Sequence, residues 1–171
     1  MESPIDLFLK RRSIRKFTDQ AVEPEKVDLL LKAAMAAPSA VNSRPWEFIV
    51  VDDPSRLAQL KAVLAYGKHN APLAVVVCAN QLIATNPAGW LFWLQDCAAA
   101  TQSMLLAAVA LGLGGVWIGV APMAAQQRTV RKVLQIPVYV TPFCVVEVGY
   151  PAEEKPPRTQ FEDRRVHHQV Y

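Results

Sequence analysis

Apolar positions along the chain follow two rhythms. Residues 23–37 set Leu29, Leu30, Ala33, Ala34 and Ala37 on one stripe, the spacing of an amphipathic helix, and Pro38 stops it. WEFIVV at 46–51 reads as a strand, and 53–65 as a helix capped by Asp53 with Pro54 next. LAVVVCA at 73–79 is apolar without a break, which predicts a strand covered on both faces. Residues 90–111 predict a long helix with an alanine-rich middle, 116–120 a short strand, 123–134 a helix and 140–148 another strand. A short helix over 4–12 precedes them all, with Ser3 as its cap and Pro4 at its first position. Mixed helices and four or five buried strands imply an α+β fold, a three-layer sandwich with a central, mostly antiparallel sheet flanked by helices. No repeat, low-complexity tract or linker divides the 171 residues, so 1–171 reads as a single domain.

From Pro151 onward the chain turns polar, charged and rich in proline, yet Phe161, Val166, Val170 and Tyr171 need a surface to pack on. The tail, 151–171, is therefore expected to wrap over a neighbour such as a partner subunit. The 52% hydrophobic content points the same way, because so small a domain has limited interior to hold it. A net charge of +3 is too mild for a chain devoted to nucleic acid, and no such partner is expected. Cys78, Cys97 and Cys144 are odd in number and follow no metal or disulfide spacing, so each reads as a small core residue. The opening MESPIDLFLKRRS has no long apolar segment with a cleavage site, and a reduced, cytoplasmic protein is the simplest expectation. Residues 104–125 carry no charge and are long enough to span a bilayer. Gly112, Gly114, Gly115 and Pro122 interrupt them, so a buried helix, a turn and a buried strand explain the stretch better, and no membrane partner is expected.

Four places carry candidate chemistry. KRRSIRK at 10–16 packs five cations and a hydroxyl into seven residues. Such cations suit a helix C-terminus or simple solvation, but Arg11, Arg12 and Ser13 also offer the forked and hydroxyl donors of an anion clamp. PSAVNSRPW at 38–46 is either an ordinary helix-to-strand connection or a stiffened loop able to read the edge of a polar heterocycle. GLGGVWIG at 112–119 lacks the spacing and the preceding strand of a dinucleotide fingerprint. It reads as a helix end at Gly112, then a strand whose Gly119 lets a flat ligand approach the backbone. Lys155 and Arg158 in KPPR are either solvated or add charge to the same anion. No GxSxG motif, carboxylate pair or metal-binding histidine pattern stands out; no metal and no catalytic side chain are expected, as when a bound cofactor carries the chemistry.

In their order along the chain, RRSIRKF, PSAVNSRPWEF, DCAAATQSMLLAA, GLGGVWIG and GYPAEEKPPR resemble the nitroreductase family. The resemblance implies an FMN-binding homodimer with active sites at the interface and a C-terminal segment that embraces the partner. It implies an oxidoreductase passing hydride from NADH or NADPH to a nitroaromatic, quinone or similar small-molecule acceptor by a ping-pong mechanism; an FMN carrier or sensor without turnover is the alternative. By position, Arg11, Arg12 and Ser13 resemble the phosphate-binding group, joined by Arg158 and Lys155, and Arg15 resembles the cation near the flavin pyrimidine. Pro38, Ser39, Ala40 and Asn42 resemble the loop that reaches the flavin from the second subunit, and Trp117, Ile118 and Gly119 the strand beside the ring. Arg44 stands where the family often has glutamine, and the segment 65–71 is short.

Overall fold

Four strands, β1 (Trp46–Val51), β2 (Leu73–Asn80), β3 (Gly114–Gly119) and β4 (Val140–Gly149), form one sheet in the order β1-β2-β4-β3. Every neighbouring pair is antiparallel. The computed structural model describes residues 3–84 and 86–171. β2 is buried at every position, which accounts for its unbroken apolar sequence. Val75, Val77, Val146 and Val148 face a layer built from α2 (Pro24–Met35) and α4 (Pro87–Ala110). Ala74, Val76 and Val145 face the opposite layer, α3 (Pro54–Val63) and α5 (Ala124–Leu134). The three-layer α+β sandwich expected from the patterning is the observed one.

Local chemistry sets the element ends. Asp53 Oδ1 accepts the Arg56 N–H at 2.8 Å and caps α3. Asn86 Oδ1 does the same for Gly89 N–H at 3.0 Å, so α4 starts at Pro87, ahead of its alanine-rich middle. Gly112 takes φ +73 and ends α4, as its position in the motif suggested. β3 starts at Gly114, earlier than expected, because glycine there lets the chain run against Ile14. The first helix, α1 (Asp6–Lys10), is shorter than the expected 4–12: Arg11 is already extended, with ψ 114. Pro142 sits inside β4, where the register against β2 slips between Val77 and Cys78, an irregularity that accommodates its missing N–H.

The interior holds all three cysteines, and burial pushes the Cys78 thiol up to about 12 and the other two upward as well. The surface is less ordinary. Trp90, Leu91, Phe92 and Leu94 on the first turns of α4 are exposed, as are Phe161, Val166, Val170 and Tyr171 in the tail. Contiguous exposed apolar side chains mark an interaction surface. Among the described residues no helix is long and apolar enough to cross a membrane.

Candidate functional site

The cationic segment that follows α1 is extended and fastened on three sides. Ser13 bridges to Gly115, with the Ile14 N–H donating to Gly115 O at 3.1 Å. The chain leaving β4 runs along the other edge: Thr18 N–H donates to Tyr150 O and Ala152 N–H to Lys16 O, both at 2.9 Å. Asn70 closes the far end, accepting Phe17 N–H at 3.0 Å and donating to Phe17 O at 2.6 Å. The tail then turns back to α1, where Arg158 N–H donates to Leu9 O at 2.9 Å.

That return brings Arg158 beside Arg11 and Arg12. The Arg11 guanidinium is held below its ordinary pKa, first by burial and then by the charges of Arg158 and Arg12. Among the described residues no carboxylate forms an ion pair with any of the three. Arg12 Nη1 donates to Pro156 O. The Arg11 guanidinium, crowded by two like charges and paired with no carboxylate among the described residues, favours an anion with several oxygens, and a phosphate monoester matches the forked donors of the three arginines. Lys155 behaves differently from Arg158. Its Nζ donates to Ser13 O at 2.6 Å and lies 3.0 Å from Glu153 Oε1. Arg15 keeps an exposed side chain while its backbone N–H donates to Glu153 Oε1 at 2.6 Å.

The loop after α2 is strained. Val41, Asn42 and Arg44 take φ of 51, 53 and 46, the left-handed region that costs a side-chain-bearing residue about 1–2 kcal/mol. Strain of this kind persists where surrounding contacts over-determine it, and it clusters at functional sites. The contacts come from Asp96, buried on α4: its Oδ1 accepts Ala40 N–H at 2.8 Å and its Oδ2 accepts the Ser43 hydroxyl at 3.1 Å. Ser39 Oγ accepts Arg44 N–H at 3.0 Å, so that hydroxyl is engaged within the loop. Pro38 is exposed, and Val41 and Asn42 form the exposed crest.

On β3, alternate residues part company. Trp117 lies on the α4 side, with its ring 5.5 Å from Phe143 in an edge-on arrangement. Ile118 points the other way, buried beneath α3 and α5, so its backbone and not its side chain faces the Trp117 side. Gly119 is exposed, and an added Cβ would meet nothing within 4 Å.

A single chain does not unite these parts. The strained loop is anchored at Asp96, whereas a hollow of about 160 Å³ beside the cations is lined by Arg12, Ile14, Lys155 and, from α4, Val109. Asp96 and Val109 are thirteen residues apart on one helix, about 20 Å along its axis at 1.5 Å per residue. A wider groove, about 590 Å³, lies elsewhere, between Val22, Asp52, Lys61 and Asn70.

Asp96, Glu153 and Asn70 escaped the reading of the sequence. Asp96 had one signal, a lone carboxylate in an otherwise uncharged run of α4, and Glu153 had its place beside Lys155.

The sequence pattern of the Nitroreductase family matches residues 8–65 and 55–150. A protein of Methanothermobacter thermautotrophicus, provisionally named NADH dehydrogenase/NAD(P)H nitroreductase, is 45% identical over 165 residues, covering 95% of this chain and 85% of its own. An FMN reductase (NADPH) of Bacillus subtilis is 30% identical over 187 residues, covering 99% of this chain and 74% of its own. A provisionally named nitroreductase of Desulfovibrio desulfuricans, solved in complex with FMN, superposes with a TM-score of 0.86 at 31% identity, covering 100% of this chain and 99% of its own.

Proposed function

The chain belongs to the nitroreductase family, and on that footing we propose that it is an FMN-dependent oxidoreductase that draws its electrons from NADH or NADPH. The nest of Arg11, Arg12 and Arg158, brought together with no carboxylate partner among the described residues, is the observation that carries this reading. It is shaped for the terminal phosphate of FMN, and Ser13 adds a hydroxyl at its edge. Bound FMN supplies the redox chemistry, accepting hydride from the nicotinamide and passing it to a nitroaromatic, a quinone or another conjugated acceptor.

The protein's own groups set the conditions for that chemistry. Arg15 stands exposed at the crest of the same extended segment, where its charge opposes the negative charge that grows at the pyrimidine end on reduction. Gly119 leaves open space for a flat ring against β3, and Trp117 walls the α4 side. The roughly 20 Å along α4 between Asp96, which anchors the loop, and Val109, beside the cations, supports the reading that Pro38, Ser39, Ala40 and Asn42 serve the ring held by a partner protomer. The homodimer covers the exposed face of α4, and the tail lies over the partner, burying Phe161, Val166, Val170 and Tyr171. Nicotinamide and acceptor then use one open ring face in turn, which gives ping-pong kinetics.

The test is anaerobic. The purified protein, incubated with FMN and freed of excess, is mixed with NADH or NADPH and then with a small acceptor. Bleaching of the flavin band by the nicotinamide and its return with the acceptor is the expected result. A protein that stays colourless after incubation with FMN overturns the flavin site, and a band that never bleaches marks a carrier instead of an enzyme.

A further inference from the structure

At Ser13 and Arg15 the cationic segment is held on its tail side by side chains in place of backbone ladder bonds. Glu153 Oε1 takes the Arg15 N–H at 2.6 Å, Lys155 Nζ gives to Ser13 O at 2.6 Å, and the two side chains pair with each other at 3.0 Å. The spacing makes this possible. Glu153 and Lys155 are two residues apart, as are Ser13 and Arg15, so in extended chains both pairs face one another. Both side chains are largely covered, at 20% and 23% exposure.

We infer that Glu153 and Lys155 are a positioning pair that fixes the backbone of Ser13 and Arg15, and through it sets the Arg15 charge against the flavin. This rests on the flavin reading above. A carboxylate recruited to neutralise the cations would sit on a guanidinium; Glu153 sits on a main-chain N–H, and its charge is matched by Lys155. The Arg15 N–H first, and then Lys155, hold the Glu153 carboxyl down at about 2, so it stays ionised across the neutral range. Two of the three Lys155 donor directions are occupied by Ser13 and Glu153, which sets its part apart from that of Arg158.

The alternative, a simple counter-charge, predicts the opposite sign, because removing a negative group near an anion site strengthens anion binding. FMN is therefore titrated into the apo-protein by fluorescence quenching, and the midpoint potential of the bound flavin is measured, for the wild type, Glu153→Ala, Glu153→Asp, Arg15→Ala and Arg15→Ala/Glu153→Ala. Glu153→Ala raises the FMN Kd roughly tenfold or more, the effect of losing one charged hydrogen bond, and lowers the potential. Glu153→Asp keeps the charge but loses the reach, so it moves both quantities the same way and serves if the alanine variant folds poorly. In the Arg15→Ala background the potential shift caused by Glu153→Ala disappears. FMN binding as tight as wild type or tighter in both Glu153 variants overturns the proposal, as does an equal potential shift with and without Arg15. Arg11→Ala/Ser13→Ala is the control on the reading beneath it: if that variant binds FMN like the wild type, the flavin site itself is misplaced, whatever Glu153 does.

Discussion

Asp96 and Ala40, fifty-six residues apart in sequence, are joined by a 2.8 Å hydrogen bond from a loop N–H to a buried carboxylate. The same carboxylate takes the Ser43 hydroxyl, so one side chain of α4 holds a loop in which Val41, Asn42 and Arg44 are all left-handed. Asp96→Ala leaves two donors without a partner, and we expect it to cost about 1–3 kcal/mol in urea denaturation and to weaken FMN binding. Asp96→Asn keeps an acceptor for Ala40 and is expected to cost about 1 kcal/mol or less. Equal losses in the two variants would show that the charge of Asp96, and not its acceptor geometry, holds the loop.

The guanidinium nest predicts a separation of ligand binding from folding. The Arg11 and Ser13 side chains are only partly buried and belong to neither core cluster, and the double alanine variant keeps the backbone bridge to Gly115. Arg11→Ala/Ser13→Ala is expected to purify without flavin while its thermal unfolding stays close to wild type. Full retention of flavin during gel filtration would count against the phosphate assignment.

Glycines in the 112–119 motif are required for different reasons. At Gly114 a Cβ would lie 2.8 Å from Ile14 side-chain atoms, so Gly114→Ala pushes β3 from the cationic segment and is expected to cost about 1–3 kcal/mol, with weaker FMN binding. At Gly119 nothing stands within 4 Å. Gly119→Ala is expected to leave stability unchanged or slightly higher, since alanine suits a strand better than glycine, yet to reduce FMN affinity by occupying the open space beside the ring. Unchanged FMN affinity in Gly119→Ala would move the ring elsewhere.

Glu147, fully buried on β4, lies 2.6 Å from His69 Nδ1 through Oε2, and its Oε1 finds no partner among the described residues. Burial raises its pKa, and the His69 hydrogen bond, the His69 charge and the Lys61 charge only partly oppose the rise. A carboxyl whose folded pKa lies above its unfolded value contributes stability that is complete below the ordinary glutamate pKa of about 4.3 and is lost as pH rises through the raised value. Ionised Glu147 is then a cost at alkaline pH. Glu147→Gln should therefore compare more favourably with wild type at about pH 8 than at about pH 5 in denaturant titrations. A difference independent of pH would show that the group does not titrate in this range.

The tail should contribute to association and little to the fold. Deleting residues 159–171 removes exposed Phe161, Val166, Val170 and Tyr171 and none of the buried core. Sedimentation is expected to show a weaker dimer with wild-type secondary structure; an unaltered dimer would place the tail away from the partner.

Much of this was legible in the chain itself. Alternation and unbroken apolar runs located the four strands, and Asp53 and Gly112 marked their helix ends, because these signals depend on neighbours a few residues away; the crowding of cations at 10–16 was equally visible, and the anion it would hold is a proposal. The tertiary structure alone decided the rest. The order β1-β2-β4-β3 arises from pairing across long stretches of chain. The β pleat turned Trp117 toward α4 and Ile118 away from it. Folding of the tail along residues 13–18 brought Arg158 to Arg11 and set Glu153 on Arg15. Asp96 reads in sequence as one acid on an alanine-rich helix, and it becomes an anchor only because α4 buries it beside a loop whose N–H groups need an acceptor. Local patterns record which face of an element is apolar. Which polar group meets which across the fold depends on chain closure over tens of residues, and periodicity carries no trace of that.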